Sequence, residues 1–273
     1  MECKVCLFKK FKPILEREYP RHVICENCGF VFMEEMRSLR TYYENDYWKS
    51  FHGISGSIDL NKTPKRSIKI YSLLKPLLNV KSRCLEIGAG FGYTLNYIRK
   101  NSRCSVFGIE PSKEGSQNMI SNDIPCFQGS MEQFSTNEKF DIIILSHVFE
   151  HFEDPVKSIQ LLKNLLATDG TLYIEVPNIL QPEWYKNFKF WFSKEHYYYY
   201  SLDKLNYFFN ACGFSSTYTQ VSTSIISLYK TGKDVQYAYT REFDKVILSL
   251  RVHEIMYYPS RFIRNVLKIF KIV

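Results

Sequence analysis

No apolar run in this sequence approaches the ~18 residues that a helix needs to cross a bilayer, so no stretch of it reads as a membrane span. The first residues, Met1 to Cys6, lack the apolar core of a secretory signal. Both absences set the expectation of a cytoplasmic protein. Lysine and arginine form no dense run near the amino-terminal cysteines. That counts against nucleic acid as a partner, because clustered basic residues are its electrostatic footprint. What the chain does have is length for a full core in one or two domains (273 residues), a 16% aromatic share and a net charge of +8. The charge suits nucleotides, phosphorylated sugars, nucleic acid or an anionic membrane surface, and it also serves solubility; it does not choose among them.

Four of the eight cysteines form two pairs, Cys3-x-x-Cys6 and Cys25-x-x-Cys28, separated by residues 7–24. That is the spacing of a four-thiolate zinc site, each pair aiming two sulfurs at one metal from a tight turn. Gly29 suits such a turn. A site closed by four thiolates leaves no position for substrate, so the zinc is expected to be structural. Cys84, Cys104, Cys126 and Cys212 stand singly in apolar runs and read as small core residues.

The chain is organised around Arg83-Cys84-Leu85-Glu86-Ile87-Gly88-Ala89-Gly90-Phe91-Gly92-Tyr93. An apolar run meets three alternate glycines, then an amphipathic run with Leu95, Tyr97 and Ile98, which predicts strand, tight turn and helix. Glycines there let a ligand lie against the backbone. Glu110 follows Gly90 by twenty positions, at the end of a second apolar run. An acid so placed accepts hydrogen bonds from ribose hydroxyls. Tyr93 stands where a dinucleotide fold wants its third glycine, so the pattern fits a nucleoside cofactor without a pyrophosphate. His147-x-x-Glu150-His151 matches an inverzincin protease string. It follows a buried strand instead of lying on a helix, and the protease reading is set aside.

Residues 1–34 read as the zinc module, 35–80 as an aromatic lid and helical linker, 81–232 as an alternating strand–helix domain, and 233–273 as a basic helical tail. The aromatic stretch Tyr42–Trp48 either packs between modules or covers the site. Gly53–Ser57 reads as a flexible turn. A helix is predicted over Lys65–Leu78 with Ile68, Tyr71, Leu74 and Leu78 on one face. Ser112 and Asp154-Pro155 open further helices, the latter carrying Ile159, Leu162, Leu165 and Leu166 inward; Ser201 opens another that Gly213 ends. Strands are predicted at Ile124–Gln128, Phe140–Ser146 and, after a turn at Asp169-Gly170, Thr171–Val176, with a late pair at Thr217–Val221 and Ser224–Tyr229. The alternation predicts an α/β, doubly wound, mostly parallel sheet with a late antiparallel element. In the tail, Phe262, Ile263, Val266, Leu267 and Phe270 recur at helical spacing among Arg261, Arg264, Lys268 and Lys271. Such a helix can lie on a membrane surface, or pack its apolar face on the domain or a second subunit.

In motif order, residues 81–232 resemble the class I S-adenosylmethionine-dependent methyltransferases. Leu85–Gly92 looks like the family's first motif, Ile109-Glu110-Pro111-Ser112 like its second-strand acid, Phe127–Glu132 like the loop flanking adenine, and Phe140–His151 like its fourth motif. Leu172–Asn178 and Glu195-His196-Tyr197-Tyr198 are typical of a subgroup. With the four-cysteine module in front, the chain resembles sugar methyltransferases of bacterial glycan and antibiotic pathways. The resemblance implies a Rossmann-like seven-stranded sheet and bound S-adenosylmethionine. It implies cofactor contacts from Glu86, Gly88, Ala89, Gly90, Phe91, Glu110, Pro111, Ser130, Met131, Ser146 and His147. Where the family often has an aspartate for the adenine amino group this chain has Ser130, so adenine recognition falls to backbone groups around Ser130 and Met131.

Methyl transfer needs alignment of nucleophile, methyl and sulfur, and removal of a proton if the nucleophile is a hydroxyl. The expected bases are His151, His196 or His147, with Glu150 orienting a histidine or acting itself; His147, Glu150 and His151 also make a possible second metal site. The expected acceptor is a hydroxyl or carbon of a nucleotide-linked or phosphorylated sugar. An RNA substrate, another small molecule such as a quinol, and an inactive zinc-ribbon interaction protein are the alternatives.

Overall fold

The computed structural model describes residues 1–15, 19–47, 58–183, 187–232 and 238–269, without the side chains of 189–190 and 258–269. Trp48, the Gly53–Ser57 stretch and the side chains of Arg261 to Lys271 lie outside the described residues.

Strands β1 (Phe11–Pro13), β2 (His22–Cys25) and β3 (Val31–Met33) pair antiparallel. Helices α1 (Arg40–Asn45) and α2 (Lys65–Leu74) lead to β4 (Arg83–Ile87). Then follow α3 (Tyr93–Ser102), β5 (Ser105–Glu110), α4 (Lys113–Ser121), β6 (Cys126–Gln128) and β7 (Phe140–Ser146). After β7 come α5 (Pro155–Leu165), β8 (Leu166–Pro177), α6 (Phe188–Trp191), β9 (Tyr198–Tyr199) and α7 (Leu202–Ala211). β10 (Phe214–Val221), β11 (Ser224–Thr231) and α8 (Phe243–Ile269) complete the chain.

The main sheet has the order β10-β11-β8-β7-β4-β5-β6. β6, β5, β4, β7 and β8 run parallel, and β11 is antiparallel to both β8 and β10. This is the Rossmann-like architecture the alternation predicts. Ile142, Ile143, Ile144 and Leu145 of β7 are all buried, as expected for a central strand covered on both faces. Each such side chain stabilises the fold by about 1.5–3 kcal/mol. The chain winds outward from β4 to β6, then returns to lay β7 beside β4. The crevice between the carboxyl ends of β4 and β7 is therefore the topological switch point, where open sheets bind ligands.

The helix starts follow the capping residues. Ser112 accepts from the Gly115 N–H, Asp154 from the N–H groups of Val156 and Lys157, and Ser201 from that of Lys204.

Several local readings differ from the structure. Pro76 ends α2, and Lys75–Leu77 forms a 3₁₀ turn. The inward face of α2 is Ser67, Ile70 and Leu74. Ile68, two residues from Ile70 and so on the far side of a 3.6-residue turn, is exposed. Leu166 is buried but begins β8 instead of ending α5. The Asp169-Gly170 turn survives as a bulge in that strand: Phe140 pairs with Leu166 and Ile142 already with Thr171.

The amino-terminal module does not stand apart. β9, from residues 198–199, pairs antiparallel with β3 and completes a second sheet of order β1-β2-β3-β9. The Met33 N–H donates to the Tyr197 carbonyl at 2.8 Å, and the Glu242 N–H to the Cys28 carbonyl at 3.2 Å. Gly29 has φ +76°, and a Cβ there would lie 2.6 Å from the Phe243 nitrogen. Module, β9 and the start of α8 thus form one packed unit.

Candidate functional site

At the switch point lies a cavity of about 950 Å³, at the upper end of the ~300–1,000 Å³ usual for small-ligand sites. One wall is the glycine turn. The N–H groups of Gly88 and Ala89 donate to the Ile109 carbonyl at 2.8 and 3.1 Å. The buried Glu110 accepts from the Gly90 N–H at 2.8 Å through Oε2, and from the Ser112 N–H and hydroxyl at 3.0 and 2.6 Å through Oε1. The carboxylate so joins the end of β5 to the turn after β4. Gly88 has φ +66°, and a Cβ would meet Val148 Cγ2 at 2.5 Å. Gly88→Ala is expected to lower the thermal midpoint by several degrees and weaken nucleoside binding at least ~10-fold, since strain and clash both push the turn into the cavity; unchanged calorimetric binding would contradict this.

Glu86 also faces the cavity. Its Oε2 is buried without a hydrogen-bond partner. Burial, with Glu110 adding to it and Thr94 opposing, pushes its carboxyl up to about 8. Near neutral pH the group holds a proton that the unfolded chain would release, so its contribution to stability falls as pH rises from its ordinary value toward 8. A cationic ligand beside it would favour the carboxylate and expel the proton. Binding of a sulfonium nucleoside is therefore expected to release close to one proton at pH 7 and to tighten up to pH 8. Titration in two buffers of different ionisation enthalpy measures this, and Glu86→Gln should abolish it.

The opposite wall is the turn after β7. His147 has φ +56°, which swings its ring between two carboxylates. Nδ1 is 3.3 Å from Glu150 Oε1 and Nε2 is 3.7 Å from Glu175 Oε1. Burial opposes its charge, but the two acids prevail and its pKa rises to about 9. Burial likewise opposes ionisation of Glu150 and Glu175, and His147 overcomes it; both fall to about 2. His147 is thus an imidazolium near neutrality and has no lone pair to offer as a base. Ser146 donates to Glu175 Oε2 at 2.7 Å and braces the cluster.

His151 follows on a 3₁₀ turn, Phe149–His151. Its Nδ1 is 2.6 Å from the Glu195 carbonyl and 3.0 Å from the Tyr43 hydroxyl. A carbonyl can only accept, so Nδ1 carries the hydrogen and Nε2 is the basic nitrogen. Glu150 Oε1 lies 4.0 Å from that Nε2. Tyr43 and Tyr47 also line the cavity. Burial, with nearby acids adding to it, pushes both phenols above their ordinary range, so they remain neutral.

The expected cofactor residues Glu86, Gly88, Ala89, Gly90, Phe91, Glu110, Pro111, Ser130, Met131, Ser146 and His147 all line this one cavity, and so does His151. Glu150 and His196 do not. His196 sits behind His151 with ring centroids 5.0 Å apart. Burial and then the neighbouring His151 depress its pKa to about 3. His196 precedes β9, does not line the cavity, and its backbone carbonyl meets His22 Nε2 at 2.8 Å. The expected trio of His147, Glu150 and His151 is rearranged too. Glu150, His151 and His196 bring ligand atoms within 4.8 Å of one another, while His147 turns to Glu175.

Sequence reasoning passed over Arg66, Lys157 and Thr94, which line the cavity, and the role of Glu175. Arg66 and Lys157 are exposed side chains near the starts of α2 and α5, where basic residues look like ordinary surface.

A family model described as a methyltransferase domain matches residues 61–219. The chain belongs to this methyltransferase family. The methyltransferase domain is also 30% identical over 137 residues to the ubiquinone biosynthesis O-methyltransferase of Haemophilus ducreyi, covering 42% of the chain and 58% of that relative. The chain thus matches less than two thirds of that relative's length. In fold it is similar to the 1,6-didemethyltoxoflavin-N1-methyltransferase of Burkholderia thailandensis, solved with S-adenosylhomocysteine, at TM-score 0.57 and 12% identity over 81% of this chain and all of that one. It is also similar to the magnesium protoporphyrin IX methyltransferase of Synechocystis, solved with SAH, at TM-score 0.51 and 14% identity over 70% and 97% of the two chains.

Outside the cavity lining, Cys3, Cys6, Cys25 and Cys28 bring their sulfurs within 4.8 Å of one another. Cys3–Cys28 and Cys6–Cys25 are each 3.5 Å apart. Four thiolates at ~2.3 Å from one tetrahedral zinc would stand ~3.8 Å apart, so the cluster fits a zinc ribbon.

Proposed function

We propose that the chain transfers the methyl group of S-adenosylmethionine to a hydroxyl of a small acceptor. One observation carries the reading: a single cavity has Gly88–Phe91, Glu86 and Glu110 on one wall and His147 and His151 on the other, with the buried Glu150 behind them. Glu110 would hold the ribose hydroxyls, Met131 and the backbone at Ser130 the adenine, and Glu86 the cationic end. The cofactor supplies an activated methyl on a sulfonium. His151 Nε2 takes the acceptor's proton while the Glu195 carbonyl fixes the ring through Nδ1–H. Glu150, ionised and buried, steadies the imidazolium that results. His147 holds that carboxylate in place as its counter-ion. The four amino-terminal cysteines hold a structural zinc.

For the acceptor, the O-methyltransferase relatives and the aromatic side chains Tyr43, Tyr47 and Phe152 at the cavity support a quinol-type phenolic hydroxyl. A nucleotide-linked or phosphorylated sugar is the second reading, favoured by Arg40 and Lys157 at the same cavity and by the four-cysteine module. Purified protein with methyl-labelled cofactor, a set of catechols and a set of nucleotide sugars separates the two. Label in the catechols alone supports the first and label in the sugars alone the second; transfer to nitrogen or carbon acceptors only would overturn both.

A further inference from the structure

Helix α8 is about 40 Å long at 1.5 Å per residue and carries more than one apolar face. Val246, Leu250 and His253 point inward and are buried. Val246 and Leu250 pack with Ile179, Trp191 and Tyr199 near the small sheet, and Ser249 donates to the Ile179 carbonyl at 3.2 Å. A second stripe points away from the body. Leu248, Val252, Ile255 and Met256 follow the i, i+4, i+7, i+8 spacing of one helical face and are 63%, 50%, 69% and 53% exposed. Isolated exposed apolar residues need no explanation, but a contiguous stripe of four large ones does. The backbone stays helical to Ile269.

Charge indicates what covers the stripe. Residues 258–273 contain Arg261, Arg264, Lys268 and Lys271 and no acid. On the nearer part of the helix, Lys245 and Arg251 are balanced by Asp244 and Glu254. A second copy laid parallel along this segment would bring four more cations and no acid there. An anionic surface complements it. Among the described residues no helix is long and apolar enough to cross a membrane, so an element of this kind lies on a bilayer and does not span it.

We propose that α8 docks the protein on an anionic lipid surface, with the Leu248–Met256 stripe entering the headgroup region and the basic end of the chain held to the lipid charge. The surface is separate from the cavity and does not depend on which acceptor is methylated.

The test is co-sedimentation of the full chain with phosphatidylglycerol vesicles and, separately, with phosphatidylcholine vesicles. Binding to phosphatidylglycerol alone is expected. It should weaken by roughly tenfold or more at high salt, or in an Arg261→Glu, Arg264→Glu, Lys268→Glu variant, because each basic residue near the surface adds its own attraction. A Leu248→Asp, Val252→Asp, Ile255→Asp variant should lose the binding yet keep its thermal midpoint and its affinity for S-adenosylhomocysteine. No binding to phosphatidylglycerol at low salt, or full binding by the triple aspartate variant, overturns the proposal. So does a dimer in sedimentation velocity that this variant dissociates without any vesicle binding by the parent chain.

Discussion

Cys28→Ser is expected to disconnect acceptor chemistry from cofactor binding. Removing one thiolate opens the four-sulfur cluster, and structural zinc sites contribute about 10–16 kcal/mol to the folding of small modules. A domain's whole margin is only ~5–15 kcal/mol, so β1–β3 should unfold. The damage does not stop at residue 34. β3 pairs with β9, the Tyr197 hydroxyl donates to the Arg37 carbonyl at 2.6 Å, and the Tyr197 N–H donates to the Glu150 carbonyl at 2.9 Å. The module therefore braces the turn that holds His147, Glu150 and His151. The glycine turn and Glu110 depend on β4, β5 and α4, none of which pairs with the module. The variant should bind S-adenosylhomocysteine within severalfold of the parent, lose methyl transfer by ~100-fold or more, and gain hydrogen exchange across β1–β3 and β9. Loss of both functions together, with the main sheet melted, would show instead that the two sheets fold as one unit.

His151→Ala is the other large effect. A positioned general base is worth about 10²–10⁴ in rate, and His151 lines the cavity with its Nδ1–H fixed on the Glu195 carbonyl and Nε2 left as the basic nitrogen. Its removal should lower kcat by that range and leave cofactor affinity within about twofold. His196→Ala should cost far less in kcat, because His196 does not line the cavity and meets it only through His151. A larger loss of kcat in His196→Ala than in His151→Ala would reverse the two roles.

Much of this was legible in the sequence because it is local. A glycine turn after an apolar run, an acid at the next strand end, capping residues at Ser112, Asp154 and Ser201, and a four-residue run of isoleucine and leucine each announce their own conformation. So does the pairing of two Cys-x-x-Cys motifs. What was not legible depends on distant neighbours. Tyr198–Tyr199 reads only as an aromatic run, since nothing within it encodes a partner at Val31–Phe32. His196 and His151 look alike as candidates, and only the 3₁₀ turn after β7 brings one of them, His151, to the cavity wall. Glu175 is one residue of a buried strand, and its partnership with His147 exists only because β8 lies beside β7. The exposure of Ile68 follows from helix phase, which moves by 100° for each residue of error in the register.

On the proposed reading the cavity is a methionine-adenosyl site in which Glu110 holds the ribose. Calorimetric titration of S-adenosylhomocysteine into the full chain tests it most directly. One site per chain with micromolar affinity is predicted, weakened at least ~10-fold in Glu110→Ala by loss of a charge-assisted ribose contact. No saturable heat with the parent chain, or equal affinity in Glu110→Ala, would contradict it.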